Sequence, residues 1–230
     1  MTTDVQDGIS ASFQRAGRAY GYDKVSASFF PFKDFKACWQ RTGNTADFKV
    51  TDYLACANGQ IVDEFADNLF KRLRSKGKIE LYNDRMKDWF QSREFLDTNR
   101  PVYLHRSRNL AYRSKGSNYE LLEAFERLKE QGLVADIPNT YITWTRGPNR
   151  ARLGYCSILM RVIAISSALD TEKVPEYVPE YVLYHELLHL RGGLRSLGRY
   201  HDKQFKDLER IHPRYHEAEE WLKRVAAKKL

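Results

Sequence analysis

Apolar residues recur at helical spacing in four stretches of this chain. Ile61, Val62, Phe65, Ala66, Leu69, Phe70 and Leu73 follow Asn58-Gly59 and predict a helix over 60–75. Leu121, Leu122, Phe125 and Leu128 predict a second over 118–131, closed by Gly132. Trp221, Leu222 and Val225 set a third, amphipathic helix over 215–226. The fourth, from Tyr181 to Leu190, is apolar on almost every side, as a buried helix is. A short helix is expected at 83–95, and a helical segment opens at His201 until Pro213 interrupts it.

Alternation marks the strands. FKDFKACWQR (32–41) and DFKVTDYL (47–54) pair as a hairpin across RTGNT. Three runs rich in Ile, Val, Tyr and Trp, at 141–145, 151–158 and 160–166, predict a small antiparallel meander, and a further strand is expected at 101–105. Residues 1 to about 30 read as weakly ordered, and no internal repeat is legible. The sum is an α+β fold: a small antiparallel sheet packed on the buried helix, with an N-terminal hairpin and additional helices. The chain divides into an N-terminal region, 1–117, and a C-terminal domain, 118–230.

Composition narrows the class. With 42% hydrophobic and 30% charged residues the chain is an ordinary globular one. No apolar run approaches the length of about 20 residues that spans a membrane, and MTTDVQDGIS lacks the character of a secretory signal, so a cytoplasmic protein is expected. Cys38, Cys56 and Cys156 are scattered without a CxxC, which fits a reducing compartment and argues against a disulfide framework or a cysteine zinc ribbon. The net charge of +8 sits wholly in residues 71–115, where 13 Lys and Arg face 5 Asp and Glu, interleaved with Tyr82, Trp89, Phe90, Tyr103 and Tyr112. Such a stretch can follow a phosphate backbone and stack on bases, or form a solvated basic face.

The candidate chemistry lies in the buried helix. His185-Glu186-Leu187-Leu188-His189 places two imidazoles four residues apart on one helical face, where they can share a zinc ion, with a glutamate able to reach a water on it. Polar groups on so apolar a helix need partners, and a metal supplies them. A catalytic zinc wants a third protein ligand and one open position. His201, His212, His216, Glu209 and Glu217 follow the helix. His201 is preferred, because Gly192-Gly193 let the chain turn back and Phe205 and Leu208 pack the segment that it opens. His212, before Pro213, suits a capping or surface role, and His216 faces an acidic run. Asp202, Asp207 and Glu209 are available to orient the imidazoles. Tyr184, Arg195, Arg199 and Tyr200 are near enough to stabilise an oxyanion.

YVLYHELLHLR followed by HDKQFKDLERIHPRYHEAEEWL resembles the SprT/YgjP-like zinc metallopeptidases. Their pattern is a HExxH helix, a short loop, a third histidine with an aromatic four residues on, then Pro-x-aromatic and Trp-Leu. Here these are His201 with Phe205, Pro213 with Tyr215, and Trp221-Leu222. RLGYCSILMRVIAISSAL (152–169) is similar to the family's hairpin and strand end, and QRTGNTADFKVTDYL more loosely to the N-terminal hairpin of the YgjP-like branch. The loop from His189 to His201 is longer than in compact members, and the cysteine ribbon of some SprT proteins is absent.

The resemblance implies a zinc metallopeptidase acting on a protein or peptide. His185, His189 and His201 would hold Zn2+, and Glu186 would act as general base on a water whose pKa falls from about 15.7 toward about 7. DNA-dependent relatives imply an alternative in which residues 71–115 contact DNA. A further alternative is a non-enzymatic, zinc-stabilised nucleic-acid-binding protein, with Cys156 able to close the metal's fourth position.

Overall fold

The computed structural model describes residues 3–198 and 200–227, which form an α+β fold of two compact units. Unit 1 comprises Met1–Arg106 with Arg195–Gly198, and unit 2 comprises Ser107–Leu194 with Arg199–Leu230.

Unit 1 begins with α1 (Thr3–Ala19) and β1 (Lys24–Phe30), where the sequence reads as weakly ordered. The helix is carried by a narrow stripe, Ile9, Phe13 and Gly17, amid polar neighbours. Gly17 lets α1 lie directly on β1, since a Cβ there would collide with Val25 Cγ2. The expected hairpin forms from β2 (Ala37–Thr42) and β3 (Thr45–Thr51), closed by Gly43-Asn44 with Gly43 at φ 58°. A 3-10 turn (Asp52–Leu54) leads to α2 (Gly59–Arg74), which Asn58 caps by accepting from Ile61 N. Then follow α3 (Asp84–Gln91) and α4 (Arg93–Arg106).

α4 replaces the strand expected at 101–105. Phe95, Asn99 and Tyr103 are buried at i, i+4, i+8, and burying that stripe outweighs the hydrogen bond lost at Pro101. Arg106 at its end holds Asp52 through contacts of 2.5 and 2.7 Å.

Unit 2 opens its regular structure with α5 (Leu121–Glu130), then β4 (Tyr141–Trp144), β5 (Gly154–Ser157) and β6 (Val162–Ile165). These strands are not the expected meander. β6 lies in the centre, antiparallel to β5 but parallel to β4, in the order β4-β6-β5. All four residues of β6 are buried, which suits a central strand covered on both faces. A 3-10 turn (Ser167–Leu169) precedes α6 (Tyr177–Gly192), followed by α7 (Lys203–Glu209) and α8 (Tyr215–Ala226). α6 packs on α5, β5, β6, α7 and α8, which is why its apolar residues face every direction.

The two units run through the same elements in the same order: helix, strand, hairpin, 3-10 turn and three helices. Their sheets share one topology, β1-β3-β2 and β4-β6-β5, each with its first strand parallel and its second antiparallel to the third. Detail matches as well. Thr51, the last residue of β3, and Ser166, just after β6, are both buried and cap the 3-10 turn by accepting from Tyr53 N and Ala168 N. This is a repeat of structure that the sequence alone does not display.

Candidate metal centre

α6 carries His185, Glu186 and His189, and the chain then turns at Gly193, whose φ of 68° suits a residue without Cβ. His201 stands just ahead of α7, which Asp202 caps by accepting from Phe205 N. The three imidazoles converge: His189 Nε2 lies 3.2 Å from His185 Nε2 and 3.0 Å from His201 Nε2. One ligand nitrogen from each lies within 4.8 Å of the others, so the trio could hold a metal ion. Phe205 forms the floor, its ring centroid 5.1, 4.7 and 4.8 Å from those of His185, His189 and His201.

Glu209, one helical turn beyond Phe205, backs the first imidazole at 2.6 Å from His185 Nδ1. With the proton on Nδ1, the lone pair of Nε2 faces the other two rings. The Tyr181 hydroxyl lies 3.0 Å from Glu209 Oε1 and 3.1 Å from Glu219 Oε1. Of the carboxylates available to orient an imidazole, Glu209 takes that place, whereas Asp202 caps α7 and Asp207 lies 3.8 Å from Arg210.

Electrostatics follow from this packing. Burial pushes the Glu186 carboxyl up to about 7 against the opposing charges of His185 and Arg152. Burial, then repulsion from His185 and His201, pulls His189 down to about 4, and the same kind of balance lowers His201, so both favour the neutral form that ligates metals. Burial opposes protonation of His185, but the Glu209 hydrogen bond and nearby carboxylates raise it above its usual value.

Glu186 is buried at 6% exposure against the β5 edge. A Cβ on Gly154 would meet Glu186 Oε1 at 2.6 Å and Val182 Cγ1 at 2.7 Å. Gly154→Ala should therefore destabilise the chain by about 1–3 kcal/mol, read as a lowered thermal midpoint, because neither contact can relax freely. An unchanged midpoint would show that the carboxylate has room to move.

The other candidates lie elsewhere. His212 is interior rather than at the surface, between Tyr181 and Tyr184, and caps the turn by accepting from Arg214 N at 3.2 Å. Burial, followed by Arg214, pushes it down to about 4. His216 and Glu217 are exposed, the latter paired with Arg214. The Tyr184 hydroxyl donates to Leu208 O at 2.6 Å, whereas the Tyr200 ring lies 5.8 Å from that of His189. Arg195 belongs to unit 1, and Arg199 lies outside the described residues. Among the described residues no cysteine joins the histidine cluster, and burial holds the Cys156 thiol well above its ordinary value.

The basic stretch 71–115 is engaged internally at several points. Lys71 pairs with Asp67, Arg85 with Glu64, Lys87 with Asp84 and Arg106 with Asp52, while Phe90 and Tyr103 are core residues. Among the described residues, no helix is long and apolar enough to cross a membrane.

Residues 143–225 match the model of the YgjP-like metallopeptidase domain. Comparison with curated proteins gives no match, and neither does comparison with solved structures. The matched segment begins in β4 and ends in α8, so it contains the HExxH helix, His201 and Glu209. A metallopeptidase domain implies a metal, hydrolysis and a protein substrate. Through residues 143–225 the chain is thus similar to the YgjP-like metallopeptidase domain.

Proposed function

We propose that the protein is a zinc-dependent peptidase in which His185, His189 and His201 hold the metal and Glu186 is the general base. The observation that carries this reading is the convergence of three imidazole nitrogens beside a buried glutamate. The donor set suits zinc, which takes imidazole nitrogens at about 2.0–2.1 Å and, in a tetrahedron, spaces them by roughly 3.3 Å. The two shortest separations here, 3.0 and 3.2 Å, are close to that value. Among the described residues the cluster consists of three histidines, the ligand number of a site that keeps one position open.

When bound, zinc supplies Lewis acidity to water and to a peptide carbonyl. Glu186, made a readier proton acceptor by burial, takes the proton from the attacking water and later delivers it to the leaving amine. Glu209 holds His185 by Nδ1, fixing its tautomer and ring plane. β5 lies at the edge of its sheet beside Glu186, a position that suits an extended peptide.

The purified chain should contain about one zinc and cleave an unfolded casein-like protein, and a chelator should abolish cleavage reversibly. Metal-free protein with full cleavage would sink this reading. Glu209→Gln should weaken zinc affinity by about 10- to 100-fold in chelator competition, since the amide is a poorer partner for the imidazole N–H. Wild-type affinity in that variant would remove Glu209 from its orienting role.

A further inference from the structure

The shared order of elements allows the units to be compared position by position. α2 and α6 are both 16 residues long, and set end to end they place Phe65, Ala66, Leu69 and Phe70 where Leu183, Tyr184, Leu187 and Leu188 stand. All eight are buried. The hairpins agree too, Ala37 facing Val50 as Gly154 faces Ile165. Asn83 and Asp202 both cap the next helix, accepting from Met86 N and Phe205 N.

Among the described residues, that correspondence places no metal-binding cluster in unit 1. Asp67, Asn68 and Lys71 occupy the places of His185, Glu186 and His189, while Tyr82 and Phe90 occupy those of His201 and Glu209. Asp67 and Lys71 pair at 2.6 Å, and the Tyr20 hydroxyl donates to Asp67 at 2.8 Å. A self-neutralised ion pair stands where the other unit gathers imidazoles.

Unit 1 instead binds a piece of chain. Arg195–Gly198, from the loop between α6 and α7, belongs to it, and His201 follows three residues after Gly198. Ser196 is held on every polar atom. Its hydroxyl accepts from Arg72 Nη1 and Leu81 N, each at 2.8 Å, and donates to Glu80 Oε1. Its carbonyl accepts from Arg72 Nη2 at 3.1 Å, and its N–H donates to Glu80 Oε2 at 3.4 Å. Arg72 and Glu80 are themselves fixed, the first on Ile79 O at 3.1 Å and the second by Tyr82 N at 3.2 Å. A loop released from these contacts would sample many conformations, and His201 would have to be ordered at the moment of binding metal.

We propose that the N-terminal unit is a metal-free duplicate of the metallopeptidase module, retained to hold, through Arg72 and Glu80, the loop that presents His201. Arg72 and Glu80 are thus positioning residues, acting through Ser196. The proposal rests on the zinc-peptidase reading given above.

The test is zinc content and chelator competition on the full chain. One zinc per wild-type chain is expected, and Arg72→Ala and Glu80→Ala should each weaken zinc affinity by about 10-fold or more, the scale for losing a supporting contact around a ligand. Arg72→Lys should recover part of the loss, and Lys78→Ala, at a nearby exposed residue, should show none of it. Ser196→Ala tests the same contact from the loop side if either alanine variant fails to fold. Two zinc ions per chain would overturn the metal-free duplicate, and wild-type affinity in the folded loop-contact variants would overturn the positioning role. A wild-type chain that binds no zinc at all would instead overturn the peptidase reading.

Discussion

Glu186→Gln should keep its metal and lose cleavage of an unfolded protein by about 10²- to 10⁴-fold, the usual contribution of a positioned proton-transfer group. The amide fills the same space beside Gly154 and Val182, so the fold has no reason to shift. What it removes is the capacity to accept a proton at a buried position where the carboxyl is held at about 7. Zinc content by elemental analysis, together with kcat/KM, separates this from a structural defect. Full occupancy with activity within a few-fold of wild type would rule Glu186 out as the base.

His201→Ala has the largest expected effect on the metal itself. It leaves two imidazoles, so affinity should fall further than the roughly 10- to 100-fold seen when only a supporting partner is lost. His201 is exposed, unlike its two companions, so truncating it should change stability by about 0.5 kcal/mol or less. Chelator competition and thermal unfolding of metal-free protein therefore give opposite answers for this variant: much weaker zinc, nearly the same midpoint. Tight zinc in His201→Ala would require another third ligand. Glu209, 2.6 Å from His185 Nδ1, would then be a candidate, at the expense of its hold on that ring.

The HExxH helix was legible because two signals coincide there, helical spacing of histidines and an apolar surround that leaves no wet face for them. His201 could be chosen from the glycine turn and from Phe205, which does contact all three rings. Glu209 could be named but not selected, although its i, i+4 relation to Phe205 puts it on the same face of α7. The first helix was missed because only Ile9, Phe13 and Gly17 mark its buried stripe. The parallel pairing of β4 with β6 depends on which strand is inserted between the others, and periodicity within a strand carries no such information. The repeat is hidden in the sequence for a similar reason: the two copies share burial and capping, met by different residues such as Phe65 and Leu183, or Thr51 and Ser166.

The placement of Arg195–Gly198 in unit 1 also bears on the order of assembly during synthesis. The N-terminal residues leave the ribosome first, and a domain generally folds once its own chain is out. Arg72 and Glu80 leave the ribosome well before Ser196, so their side of the contact waits for the loop to emerge. His201 comes last of the three histidines, so the trio can close only once the chain beyond α6 has emerged.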